Sequence, residues 1–196
     1  EAVNSALTQA RAAFKHAESM SAADVHWDSF ITPLEAATEQ LSRIWGVVSH
    51  CHHVVDTAEW REAYNAHLEE VTVFWTTLGQ SEMLLSHYQT LAKEPHFSQL
   101  STTRQHIIHQ ALRDFKLSGA LLNDADKAEF LSLSTEASAL QAKFSENVLD
   151  ATNAFAYFAT LDELTGIPDE AIAAMRAAAQ ADDKDGYKIT LHFPSY

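Results

Sequence analysis

The sequence predicts an all-α fold: a bundle of long antiparallel helices with a short β strand or β pair near the C-terminus. Three observations carry this expectation. Glycine and proline are scarce, five and four in 196 residues. Alanine is abundant and β-branched residues are sparse outside short patches, which suits helices better than sheets. Apolar residues recur at helical spacing through most of the chain, as they do on a helix with one buried face. The exception comes last, where Tyr187, Ile189, Leu191 and Phe193 alternate with Lys188, Thr190 and His192. That is the period of a strand with one wet face.

Taken in order, Val3, Leu7, Ala10, Phe14 and Ala17 predict a first helix over about residues 3–19. Ser19 to Ala23 reads as a break, and Trp27, Phe30 and Ile31 as bulky anchors beyond it. Thr32-Pro33-Leu34-Glu35 has the form of a helix start. Thr32 accepts orphan amides, Pro33 suits the first helical position, and Glu35 reaches back as in a capping box. A kinked helix running through Pro33 fits the same residues. Leu34, Ala37, Leu41, Ile44/Trp45 and Val48 carry this helix inward. Asp56-Thr57 caps the next one, with Glu59 and Glu62 early, where the macrodipole favours anions. Trp60, Tyr64, His67/Leu68, Val71, Trp75 and Leu78 are its buried face. Gly79 can end it, yet Met83, Leu84, Tyr88 and Leu91 keep the period, so a single helix continuing to Leu91 fits as well. Glu94-Pro95 ends the pattern.

Ser101 opens another helix, with Ile107/Ile108, Ala111/Leu112 and Phe115 inside and Gly119 as its C-terminal glycine. Asn123-Asp124 caps a long one with the stripe Phe130, Leu133, Ala137, Leu140, Phe144, Asn147/Val148, Ala151 and Phe155. Residues 155–160 read as extended, Pro168 to Ala181 as an alanine-rich helix, and Asp182 to Gly186 as a turn. A lone strand after that turn cannot satisfy its backbone. Its partner is either residues 155–160 or sequence beyond Tyr196. The expected organisation is one helical lobe over 1–196, with long helices to about 153 and mixed strand, helix and strand over 154–196. The first residue, Glu1, and the finish straight after a strand read as a fragment of a larger protein.

Thirteen basic residues against 27 acidic ones give a formal charge of −14. Such a surface repels phosphate backbones and anionic membranes, so neither nucleic acid nor membrane is an expected partner. No apolar run approaches the ~20 residues that span a bilayer. Cys51 is the single cysteine, which excludes an intrachain disulfide and fits a reducing, cytoplasmic location. A monomer is expected.

Several groups invite chemistry, and each has an ordinary reading beside it. His50-Cys51-His52-His53 is the densest cluster; on a helix His50 and His53 share a face and, with Cys51 or a distant carboxylate, have a zinc-like ligand set. No second ligand pair at suitable spacing accompanies them, so surface or cap histidines is the ordinary reading. His106 and His109 share a face too, within an amphipathic pattern. Cys51 has no oxyanion-hole sequence beside it and reads as an inert thiol. Glu69-Glu70 and Asp182-Asp183 read as solvated charge, and Trp45, Trp60 and Trp75 as core. No Gly-x-Gly-x-x-Gly, phosphate loop or Gly-x-Ser-x-Gly occurs. Zinc peptide hydrolysis needs two imidazoles one helical turn apart with a glutamate between them, and no histidine in this sequence is followed by glutamate.

Four stretches, in order, resemble the front part of the oligopeptidase A and thimet oligopeptidase family of zinc peptidases. They are Leu41-Ser-Arg-Ile-Trp45 through His50, Val54-Val55 and Arg61-Glu-Ala-Tyr64; Ala111-Leu-Arg-Asp-Phe115 with Gly119; Phe144-Ser-Glu-Asn-Val-Leu-Asp-Ala-Thr152; and Gly166-Ile-Pro168 with Gly186-Tyr187 and Thr190-Leu-His-Phe-Pro-Ser-Tyr196. Cys51-His52 departs from the family's usual Leu-Asn. The resemblance implies a cytosolic zinc endopeptidase that cuts short peptides in a channel between two helical lobes, this region building one wall. Zinc and the glutamate base would lie in a later His-Glu-x-x-His helix. No catalytic, cofactor-binding or metal residue of that family falls on residues 1–196, and the segment alone is expected to be inactive. Two other readings stand beside it: a free-standing acidic helical module that docks a peptide or protein, and a metal-binding bundle using His50, Cys51 and His53.

Overall fold

Four of the α-helices start where a short side chain accepts an orphan backbone amide. The computed structural model describes residues 1–95 and 97–192. Among them stand seven α-helices and one two-stranded antiparallel sheet, the all-α architecture with a terminal β pair that composition and periodicity predict. The helices are α1 (Ala2–Ser19), α2 (Thr32–Val54), α3 (Ala58–Gly79), α4 (Glu82–Lys93), α5 (Thr102–Leu117), α6 (Asp124–Ala154) and α7 (Asp169–Ala181). The strands are β1 (Tyr157–Ala159) and β2 (Tyr187–Ile189). The chain forms two compact units, Glu1–Ala139 and Leu140–Tyr196.

In the first unit α1 lies along α2, and its small inward residues set the close approach. Ala6 and Ala10 are buried beside Val3 and Leu7, and meet Leu41 of α2 and Val71 and Phe74 of α3. A second cluster gathers Phe30, Ile31 and Leu34 with Leu84, Leu85, Tyr88 and Leu91 of α4 and Ile108 and Phe115 of α5. Phe14 packs against both clusters. Burying a large apolar side chain of this kind is worth about 1.5–3 kcal/mol, so these two seams dominate the unit's stability.

Predicted caps form at Thr57, Ser101 and Asn123. Their side-chain oxygens accept the amides of Trp60, Arg104 and Asp126. At the end of α5 the Gly119 amide donates to Lys116 O and the Ala120 amide to Phe115 O, with Gly119 at φ +88°. This paired bonding around a left-handed glycine is the Schellman arrangement.

At two boundaries the sequence leaves alternatives, and the structure takes the helical path through Pro33 and the break after Gly79. Thr32 does not cap α2. The chain enters through a wide helical turn, Trp27–Ile31, and Thr32 is already helical, its hydroxyl donating to Trp27 O at 3.3 Å. The wide turn carries Phe30 and Ile31 into the core, and Pro33, with no N–H to donate, falls where it passes into regular helix. The run from Ala58 to Lys93 is two helices, not one. Ser81 caps α4 by accepting the Leu84 amide, and its hydroxyl donates to Glu18 of α1 at 2.6 Å. That tertiary bond, added to the cap, wins over the continuing apolar period.

The long stripe on α6 predicts its helix correctly but not its burial. Phe144 is 69% exposed, Leu140 59% and Leu133 57%, and Ala142 alone is buried among its described residues.

In the second unit β1 pairs antiparallel with β2, Phe158 opposite Lys188, so residues 155–160 supply the strand's partner. β2 stops at Ile189, and the predicted continuation at Phe193 lies outside the described residues. Gly186, at φ +98°, is required where the chain turns in: a Cβ there would stand 2.8 Å from the Ala159 carbonyl oxygen. Glu163 ties the end of β1. It accepts the Thr160 amide and hydroxyl at 2.7 and 2.9 Å and the Tyr157 hydroxyl at 2.5 Å.

Those bonds, the Thr160 amide first, hold the Glu163 carboxyl below its ordinary range. A carboxyl depressed on folding stabilises the fold above its unfolded pKa, and that contribution is lost as pH falls through the folded value. The Thr160 amide resonance is therefore expected to titrate below the ordinary glutamate value of about 4.3, and in Glu163→Gln to lose that titration.

Candidate functional site

An open cleft of about 770 Å³ lies in the first unit, between α2, the end of α3 and α5. Helical spacing builds its walls. On α2, Glu35, Thr38, Glu39 and Ser42 step along one face; on α5, His106, Gln110 and Asp114 do the same. Leu34, Leu78, Tyr88 and Phe115 make an apolar floor continuous with the core. Trp75 stands at the edge, 37% exposed. Gly79 lets the end of α3 approach Ser118, whose Cβ would lie 2.8 Å from a Cβ on residue 79.

Charge on the cleft is acidic. Glu39 is paired with Arg43 at 2.7 Å and Asp114 with its neighbour Arg113 at 2.9 Å. Glu35 has no ion pair among the described residues. Partial withdrawal from solvent, and then the negative charge of Glu39, raise its pKa above the ordinary carboxylate value. Tyr88 is buried, and burial followed by the charge of Glu35 pushes its phenol strongly upward.

A carboxyl raised on folding binds its proton more tightly in the folded state. It therefore costs nothing at low pH and destabilises increasingly as pH rises through its folded value. Glu35→Gln is expected to raise stability at neutral pH by about 0.5 kcal/mol or less, since solvent screens a group at the cleft mouth. Urea unfolding at pH 7 and pH 4 checks this; the gain should vanish at the lower pH.

The histidine cluster does not assemble a metal centre. His52 is buried and stacked on Tyr64, ring centroids 4.1 Å apart, with Trp45 stacked on the same tyrosine at 4.8 Å. His53 turns its Nδ1 to Ser49 O at 2.6 Å, His50 is exposed and Cys51 half-buried. Among the described residues no three His, Cys, Asp or Glu side chains converge as metal ligands. His106 lies 3.3 Å from Gln110 and His109 packs edge-on to Phe97. Glu70 reaches Arg11 and Asp182 reaches Lys188, so both acidic pairs are surface charge. Of the three tryptophans expected in the core, Trp45 and Trp60 are half-buried and Trp75 is exposed; the last belongs to the cleft edge. Among the described residues no helix is long and apolar enough to cross a membrane.

Motifs behind the resemblance have local structural work. Asp56, at φ +50°, holds Arg61 at 2.6 and 2.7 Å, and Tyr64 is the stacked residue between Trp45 and His52. Asp114 and Phe115 line the cleft, and Gly119 closes α5.

A family model described as the N-terminal domain of neurolysin and thimet oligopeptidase matches residues 3–127. The chain belongs to this family. It is 36% identical to oligopeptidase A of Salmonella typhimurium over its whole length, which is 29% of that protein. Oligopeptidase A of Escherichia coli shares 37% identity over 87% of the chain and 25% of the relative. A probable cytosolic oligopeptidase A of Arabidopsis thaliana shares 33% over 89% of the chain and 26% of the relative. The chain thus spans under a third of the oligopeptidases it matches.

Within that family frame, sequence reasoning missed the cleft carboxylates. In the sequence Glu35 reads as part of a capping box. The available signal was Glu35 and Glu39 one turn apart, a like-charge pair that destabilises an isolated helix.

Proposed function

We propose that this chain is the N-terminal lobe of an oligopeptidase A-like zinc endopeptidase. It forms one wall of the channel that admits short peptides, and itself breaks no peptide bond. The family match over residues 3–127, in a chain covering 29% of its Salmonella relative, carries this reading. The sequence has no His-Glu-x-x-His, and the described residues do not fit zinc, since no ligand triad forms among them. Zinc and the general base are therefore assigned to sequence outside these 196 residues, and the lobe's own contribution is steric. A narrow entrance passes flexible oligopeptides and turns away folded proteins. A monomeric parent is part of the proposal, and so is a cytoplasmic location, which the single cysteine and the plant relative's designation as cytosolic support.

The experiment is a chimera in which this chain replaces the matching part of the Salmonella enzyme. It should hydrolyse a quenched fluorescent oligopeptide and leave folded proteins intact. A folded, zinc-loaded chimera that degrades native proteins would reject the steric role.

A further inference from the structure

We propose that the cleft between α2 and α5 binds a lysine or arginine side chain presented by an oligopeptide, the alkyl stem on the apolar floor and the cationic head at Glu35. The floor of Leu34, Leu78 and Phe115 suits a hydrocarbon stem, and long basic side chains lay such stems on apolar surface while keeping the charge at the rim. The volume, about 770 Å³, also leaves room for apolar residues flanking the basic one.

Three features select a cation. The cleft carries Glu35, Glu39 and Asp114 and no lysine or arginine, and Arg43 and Arg113 are bonded to Glu39 and Asp114. Glu35 is left without a counter-charge among the described residues. Independently of those acids, Tyr88 lines the same cleft with its ring buried, and its hydroxyl, which bonds none of the described residues, is not among the polar atoms cut off from solvent and so is open to a ligand. Its acceptor lone pairs suit an ammonium or guanidinium donor coming in beside Glu35. A purely apolar occupant would leave Glu35 without a counter-charge, and an acidic one would be repelled.

This binding goes beyond the role of the chain as a lobe and does not depend on any peptide being cut. The test is calorimetric titration of the 196-residue chain with three blocked pentapeptides, identical except for a central lysine, norleucine or glutamate. The lysine peptide should bind saturably, norleucine about tenfold more weakly, and glutamate not at all. Glu35→Gln should weaken the lysine peptide about tenfold and Tyr88→Phe about threefold. Glu70→Gln, outside the cleft, should leave it unchanged. Circular dichroism confirms that each variant is folded, and since Glu35→Gln is expected to be no less stable, its loss of binding reports the site. Norleucine binding within twofold of lysine would overturn the proposal in favour of a plain apolar groove. Affinity unaffected by both cleft variants would overturn it in favour of diffuse acidic attraction, and absence of saturable binding at millimolar peptide would overturn it outright.

Discussion

Phe30→Ala is expected to destabilise the first unit by about 3–5 kcal/mol. The ring is fully buried and contacts His87 and Tyr88 edge-on, centroids 5.4 and 5.1 Å away. It also anchors the wide turn that starts α2, so its removal opens a cavity where three elements meet. His87 worsens the loss: its Nε2 is buried with no partner among the described residues, and the void would place that polar atom beside empty space. Against typical stabilities of 5–15 kcal/mol the loss is a large fraction. Urea unfolding measures it as a fall in midpoint at unchanged slope. A loss below about 1 kcal/mol would mean that the wide turn repacks, and that Phe30 does not fix the entry to α2. Tyr88 belongs to both this cluster and the cleft, so the same variant should also blur the floor on which the proposed ligand lies.

The second large effect is a matter of sign. Gly79 lies at the end of α3, where helix propensity favours alanine by about 1 kcal/mol. The fold argues the other way, because a Cβ there meets Ser118 Cβ at 2.8 Å and Oγ at 3.0 Å. Ser118 Cβ is fixed to the backbone at the end of α5 and cannot swing aside. Overpacking of this kind costs about 1–3 kcal/mol, so Gly79→Ala should be net destabilising by about 1 kcal/mol. Adding Ser118→Gly should restore most of the loss, since the Schellman bonds at Gly119 and Ala120 do not use the serine side chain. A Gly79→Ala protein more stable than the parent would show that α3 and α5 are not held at this distance, and with them the end of the cleft.

Legibility in the sequence followed the range of the interaction. Thr57, Ser101, Asn123 and Gly119 act on backbone groups within a few residues, and each stands where local chemistry puts it. The break at Ser81 was ambiguous because its decisive bond goes to Glu18, sixty-three residues away in sequence. The wide turn at Trp27–Ile31 has no local signature and follows from how Phe30 and Ile31 reach the core. Periodicity on α6 revealed a helix, yet Phe144 and Leu140 remain exposed, because a stripe records what a face is suited to meet rather than what covers it. The cleft was the least legible feature. Glu35 and Asp114 come from different helices, and only the packing of α2 against the α3–α5 end brings them to one opening. Absence was easier to read: a missing His-Glu-x-x-His can be seen without any fold.

The central claim, that the peptide-cutting chemistry belongs to sequence outside this lobe, is tested most directly on the purified 196-residue chain. Its zinc content and its cleavage of a quenched fluorescent oligopeptide should be measured with and without a chelator. The account predicts no stoichiometric zinc and no chelator-sensitive cleavage. Turnover that co-purifies with bound zinc and disappears on chelation would contradict it.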